Sequence, residues 1–292
     1  MAQKIRSCII KLPTENVKNH TRTKKVEFTR SILDCEACII AKQMRNPSKE
    51  ERERANRPLE LIHTDLMGEL APRSYCSSNK HIVVFVDDYS RYAMAFAMQN
   101  KTQVHIYLAQ YLKEMRRNLD NQSLRVNKIR TDNGTEFRTD EMKELKKEEG
   151  FEFDYSEPGT PEHNGASEQF NKTLQEKIRS LIFDAKMPKQ FWNFALGYAV
   201  HVYNRSPHKA LEFKTPYQMI FRNTPTLKYL RRFGCASYVK NLKVKGKFDE
   251  RGTRGILIGC NETGYRVLIP ETGKIVCSKH VSFIESVTYG SL

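Results

Sequence analysis

The sequence predicts an α/β fold, a mixed five-stranded sheet flanked by helices, with a small β-barrel after it. Three observations point there. Short runs with apolar residues at every second position recur from Leu59 onward. Longer runs between them repeat their apolar residues every three to four positions. From about Asn223 the chain becomes strand-like and glycine-bearing, with turn signals at NETG (261–264) and PETG (270–273).

The elements follow in order. LELIHTDL (59–66) alternates apolar and polar residues and predicts a first strand. HIVVFVDDYS (81–90) is a continuous β-branched run, the pattern of a central strand covered on both faces. YAMAFAMQ (92–99) follows after a short turn. A helix is predicted over 101–117, with Val104, Tyr107, Leu108, Tyr111, Leu112 and Met115 on one face. VNKIRTD (126–132) is a fourth strand ending in an Asn-Gly turn, and DEMKELKKEEG (140–150) is a charged helix closed by glycine. FEFDYS (151–156) is a fifth strand. Long helices are predicted over 165–185 and 188–204, the first striped by Phe170, Leu174, Ile178, Leu181 and Ile182. In the order β-β-β-α-β-α-β-α-α, strands one and four can be neighbours in a mixed sheet. FGCASYV, GILIGC, YRVLIP and KIVCSKHVSF supply the strands of the barrel. The expected division is 1–57, 58–222 and 223–292, the first part being highly charged and weakly periodic.

Composition narrows the partners. The formal net charge is +15 over 292 residues, which favours nucleic acid through release of condensed counterions; a generically basic surface is the plainer alternative. No run approaches 18 apolar residues, and the first residues lack the apolar stretch of a signal peptide, so no membrane partner is expected. The seven cysteines are odd in number and mostly scattered, which fits reduced thiols in the cytoplasm or nucleus.

Three acids stand out. Asp65 lies inside the first strand, Asp132 at the end of the fourth, and Glu168 on the first turn of the long helix, after the turn-rich loop PGTPEHNGA. Adjacent first and fourth strands, with the loop carrying the helix start across their ends, bring the three carboxylates to one cleft. Bare carboxylates that close repel one another unless a cation neutralises them. An all-oxygen set without His or Cys selects Mg²⁺ or Mn²⁺. Two such ions about 3.5–4 Å apart can clamp the attacking and leaving oxygens of a phosphodiester. Asp65 is the expected shared ligand, with Asp132 on one ion and Glu168 on the other. Singly, each acid also reads as a capped or salt-bridged structural residue. Asp87 and Asp88 read as strand-end and turn residues.

The same residues carry a family resemblance. HTDLMGEL, FVDDYSRY, TDNGTEF and PGTPEHNGASEQFNKTL, in this order, resemble the integrase core of copia-type LTR retrotransposon Pol polyproteins, within the retroviral-integrase-like DDE superfamily. The likeness runs through MPKQFWNFALGYAVHVYNRSPHKALEFKTPYQMI into the C-terminal strands and covers residues from about 35 to 292. It implies a ribonuclease-H-like core with the triad Asp65, Asp132 and Glu168, a C-terminal small SH3-like barrel, and DNA integration: joining of element 3′ ends to target DNA by a strand transferase that works as a homo-multimer. It implies that the loop before Glu168 lies beside the DNA end. His163 and Asn164 then contact the terminal phosphate or bases, or serve only as turn and cap. Lys172, four residues past Glu168, suits a phosphate contact or is a solvated helix lysine. The basic segment 240–254 lies on DNA backbone or is a solvated loop.

The N-terminal part departs from that pattern. CEAC, with Cys35 and Cys38, resembles the cysteine half of the family's zinc-binding module. The expected histidine pair is absent: only His20 precedes it, with Cys8 further off. The pair reads as vestigial, and Zn²⁺ binding stays open. The starting methionine and the end at Leu292 suit an isolated reading frame, whether polyprotein piece, degenerate copy or domesticated gene. The rival function is a catalytically silent, transposon-derived DNA-binding protein; a plain nuclease on the same fold is a third.

Overall fold

β2 (His81–Asp87) shows how the core is organised, because its side chains are buried on both faces. Ile82, Val84 and Val86 point into one apolar cluster, while Val83 and Phe85 point into another. This is the period-two consequence of a continuous apolar run. β3 (Ala93–Met98) and β1 (Leu61–Met67) pair antiparallel with its two edges. β1 continues into β4 (Lys128–Thr131) and β5 (Glu152–Tyr155) by parallel pairing. The sheet order is β3-β2-β1-β4-β5, five strands of mixed direction. The computed structural model describes residues 54–121, 124–132, 134–155, 165–241, 246 and 248–291.

Helices cover both faces. On one side lies α1 (Val104–Asn118), which buries Val104, Leu108, Tyr111, Leu112 and Met115 on a single stripe. α2 (Asp140–Glu149) adds Met142 to the same cluster. Its N-terminus is capped by the Thr139 side chain, and it ends at Gly150 with φ 74°. On the other side lie α3 (Gly165–Ala185) and α4 (Trp192–Asn204). The predicted stripe of α3 holds, with Phe170, Leu174 and Ile178 buried and Leu181 and Ile182 packed beside them. Trp192 is buried, and its indole N–H donates to the Pro72 carbonyl at 3.0 Å.

Two details differ from the sequence reading. A short helix, α5 (Pro216–Phe221), was not anticipated, although its start signal is legible. Thr215 and Gln218 form a capping box around Pro216 at the first turn. KIVCSKHVSF is also two strands rather than one. The Ser278 hydroxyl accepts from the His280 N–H at 3.1 Å and turns the chain. β9 (Lys274–Ser278) and β10 (Val281–Thr288) then stand at opposite edges of the second sheet. With β6 (Cys235–Lys240), β7 (Gly252–Asn261) and β8 (Gly264–Ile269), they form an antiparallel sheet of order β10-β6-β7-β8-β9. Cys76, Cys235, Cys260 and Cys277 are free thiols. Among the described residues no helix is long and apolar enough to cross a membrane.

The second sheet is not a pendant module. Residues Glu51–Leu292 cluster as one compact unit. Phe233, Ile256, Ile258 and Leu268 join the same apolar cluster as Trp192, Phe194 and Tyr198 of α4. Polar contacts tie the rim. The Arg232 guanidinium donates to both Asp184 oxygens, at 2.8 and 2.7 Å, and its backbone N–H donates to Glu285 at 2.8 Å. Glu262, in the β7–β8 turn, accepts from Arg205 and from the Tyr217 hydroxyl, both at 3.2 Å. Gly234 lies in the seam with φ 73°, and a Cβ there would meet the Ala185 Cβ at 2.3 Å.

Two outcomes follow from this seam. Gly234→Ala combines a left-handed backbone with a collision against α3, and is expected to cost about 2 kcal/mol or more. Urea unfolding should show a lower midpoint with an unchanged slope. A chain ended at residue 222 would uncover Phe194 and Tyr198 on α4; it is expected to bind a hydrophobic dye that the longer chain does not bind.

Candidate active site

The carboxylates are placed by strand register. In the parallel β1–β4 pair, Leu61, Ile62 and His63 lie opposite Lys128, Ile129 and Arg130. Two more steps bring Asp65 level with Asp132, one residue beyond the end of β4. In-register residues on neighbouring strands share a face of the sheet. For Asp65 that face is the one turned to α3. Met67, two residues on, packs in the same cluster as Phe170 and Leu174.

α3 runs along β1 and carries a polar face opposite it. The Gln175 amide donates to the Met67 sulfur at 3.3 Å, and the Asn171 Nδ2 donates to Asp65 Oδ2 at 2.6 Å. Glu168 lies one turn back on that face, three residues before Asn171. The Leu66 N–H donates to the other Asp65 oxygen at 2.7 Å. Asp132 and Glu168 are exposed, whereas Asp65 is half-buried. The Asp132 side chain accepts from the Gly134 N–H at 3.3 Å, which fixes the turn after β4.

Burial pushes the Asp65 carboxyl up to about 6. The hydrogen bond from Leu66 opposes the rise, the Asp132 charge adds to it, the Asn171 bond opposes it and the Glu168 charge adds again. Both other acids of the predicted triad therefore act on Asp65. They do not close into a finished cage: among the described residues no three His, Cys, Asp or Glu side chains are grouped to hold a metal ion. The donor set still fits a hard divalent cation. It is all carboxylate oxygen, it is open to solvent at two of its three members, and its half-buried member has its carboxyl raised chiefly by burial, with the neighbouring negative charges adding to the rise. Each Asp65 oxygen accepts one hydrogen bond and keeps a further lone pair.

The remaining predicted residues are distributed as follows. Lys172 is exposed on α3, four residues after Glu168. His163, Asn164, Cys35 and Cys38 lie outside the described residues. Asp87 is buried and structural. Its oxygens accept from the Leu59 N–H and from the Ser90 N–H and hydroxyl, and burial pushes its carboxyl up. Asp88 meets His63 Nε2 at 2.9 Å, accepts from the Ala55 N–H at 2.8 Å and pairs with Arg91 at 3.1 Å. Burial alone would raise Asp88, but these partners outweigh it and hold the carboxyl well below the usual range. Burial also lowers the His63 ring, which is therefore neutral at neutral pH.

Asn171 is the residue the sequence reading missed. It is 7% exposed, and its Oδ1 is buried without a partner. A signal was present, since asparagine is a poor interior helix residue and here sits three positions after the glutamate.

Comparison with known proteins identifies the two regions of the chain. Residues 55–161 match the family described as "Integrase core domain", and residues 235–291 match "Retroviral polymerase SH3-like domain". The five mixed strands between two helical layers have the form of a ribonuclease-H-like integrase core, and the matched span holds all five of those strands. The "Retrovirus-related Pol polyprotein from transposon TNT 1-94" of Nicotiana tabacum is 32% identical over 88% of this chain and 19% of its own length. The corresponding polyprotein from transposon RE1 of Arabidopsis thaliana is 29% identical over 88% of this chain and 17% of its own. A solved structure, the HTLV-2 integrase catalytic core domain in complex with magnesium (trimeric form), covers 57% of this chain and 99% of that one, with 18% identity and a TM-score of 0.43. The chain carries an integrase core domain and a retroviral polymerase SH3-like domain, is similar to retrovirus-related transposon Pol polyproteins, and spans about a fifth of the length of those relatives.

The charge on Asp65 has a measurable consequence. A carboxyl whose folded value is raised favours the folded state while protonated. Stability is then lost as pH climbs from 3.8 through about 6, and the full penalty applies above that range. Two pH units correspond to about 3 kcal/mol at most. Asp65→Asn removes the penalty, and Asn171 can turn its amide to accept from the new side chain. Without divalent ions, the variant is expected to melt above the parent at pH 8 and close to it at pH 4, read by calorimetry.

Proposed function

We propose that this chain is the DNA-joining part of a transposon polyprotein, a metal-dependent polynucleotidyl transferase that links element 3′ ends to target DNA. The observation that carries the reading is the β1–β4 register, which by extension sets Asp65 level with Asp132, while Glu168 on α3 lies close enough for its charge to act on Asp65. Asp65, Asp132 and Glu168 would hold the metal ions, with Asp65 the ligand common to both. When bound, a pair of Mg²⁺ or Mn²⁺ ions supplies the positive charge that stabilises the attacking and departing oxygens of a phosphodiester. Asn171 orients Asp65 through its hydrogen bond at 2.6 Å. Lys172, on the exposed side of the same helix, meets a DNA phosphate, and His163 and Asn164 contact the DNA end. The protein acts as a homo-multimer, because two ends must reach one target. It works in the nucleus or cytoplasm.

A second reading, DNA binding without chemistry, draws on the open arrangement of the three acids. Branched DNA that mimics a joined product separates the two. With Mn²⁺ present, the parent chain is expected to resolve the branch. Glu168→Gln should lose this by more than the roughly 10–100-fold that loss of an outer partner costs, and Asn171→Ala should fall within that range. Both variants should bind DNA as the parent does. Resolution undiminished in Glu168→Gln would remove Glu168 from the site, and DNA binding with no resolution by the parent would support the second reading.

A further inference from the structure

A cleft of about 490 Å³ lies where α4 meets the β7–β8–β9 face, within the size range of ligand sites. Phe194 and Tyr198 of α4, with Ile258 of β7, give it apolar walls. None of its lining residues is acidic. Arg266 and Lys279 are both exposed there, and the Arg266 guanidinium lies over the Phe194 ring, 5.7 Å from its centroid. His201 adds no charge, since burial lowers its ring to about 4. Glu262 in the adjoining turn is engaged by Arg205 and Tyr217.

Three features together describe an occupant. The Asn193 amide oxygen lines the cleft and is buried with no partner, so the occupant must bring a hydrogen-bond donor. A phosphodiester or a free carboxylate offers only acceptors, whereas a peptide main chain carries N–H groups. Gly197 is exposed in the middle of α4, with nothing within 4 Å of where a Cβ would be. Alanine is the better helix former there, and internal packing gives no reason for its absence. The bare position leaves room for a main chain to lie against the helix. Arg266 and Lys279, with no acid among the lining residues, call for carboxylates on that chain. A helical occupant has its interior N–H groups already bonded, while an extended one keeps them free. A second copy of this chain is disfavoured, since its net charge is +15.

We propose that this cleft docks an extended acidic segment of a different protein. One main-chain N–H of the segment donates to Asn193, its backbone lies across Gly197, and its carboxylates meet Arg266 and Lys279. The site lies apart from Asp65, Asp132 and Glu168 and does not draw on their chemistry. It gives this chain a means of being held against a protein partner while the carboxylate site stays open.

The test uses the full 292-residue chain and short fluorescent peptides of alternating valine and glutamate, read by anisotropy. Matched peptides carry lysine in place of glutamate, or N-methyl groups on the backbone. The glutamate peptide is expected to bind and the lysine peptide not to. N-methylation should weaken binding about 3–10-fold, the worth of one hydrogen bond, and Asn193→Leu should make the parent and the N-methyl peptide bind alike. Arg266→Gln with Lys279→Gln should lower affinity about 5–10-fold at low salt. The control pair Lys113→Gln with Lys147→Gln, exposed on α1 and α2 across the sheet, should lower it less. Gly197→Ala should raise the melting temperature yet weaken binding, and Gly197→Leu should weaken it further, which separates lost docking from lost folding. Glutamate peptide bound no better than lysine peptide, or bound equally by the cleft variants, would overturn the inference. So would loss of oligonucleotide binding in those variants with no peptide bound by the parent, which would assign the cleft to nucleic acid.

Discussion

The site depends on one pairing, the parallel ladder between β1 and β4. Strands joined this way must be separated by a long connection, here the β2–β3 hairpin and α1. Their register is therefore set by the core rather than by a turn. Ile62 and Ile129 lie side by side in it and are both fully buried. A slip of one residue would turn β4's apolar side chain out of the core. The same slip would carry Asp132 away from Asp65. The packing of two isoleucines thus fixes the neighbourhood of two carboxylates.

The third acid is placed by a different device. The apolar stripe of α3 fixes how the helix is rotated on the sheet. With Phe170, Leu174 and Ile178 buried, the 168-171-175 face must run along β1. Burial of Asp65 beneath that face makes its charge costly, and the two nearby acids make it costlier. Such a site is poorly satisfied by the protein alone and well satisfied by added positive charge. α4 packs beside α3 and carries the second sheet on its far side, so both halves of the described chain share one apolar cluster.

Much of this was legible in the sequence. The continuous run at 81–86 announced a strand covered on both faces, and the stripes of α1 and α3 announced which side chains would be buried. The three acids were legible because each broke a pattern: a charge inside a strand, a charge at a strand end, and a charge just after a turn-rich loop. Asn171 was missed because its role appears only when a helix and a strand 106 residues apart are in contact. α5 was missed because six residues are too few to show helical periodicity, although the capping residues were visible. The split of KIVCSKHVSF was hidden because both halves are strand-like, and only a local turn at Ser278 parts them. The seam between core and second sheet was invisible, since no local pattern marks which exposed-looking aromatic will meet a distant strand.

The most direct measurement is an anomalous-scattering map from crystals of the chain soaked in Mn²⁺. The account predicts at least one peak in contact with Asp65 and Asp132, and a second shared by Asp65 and Glu168 once DNA is present. Manganese bound elsewhere, with no density between these acids in either state, would contradict the assignment of a metal-dependent joining site.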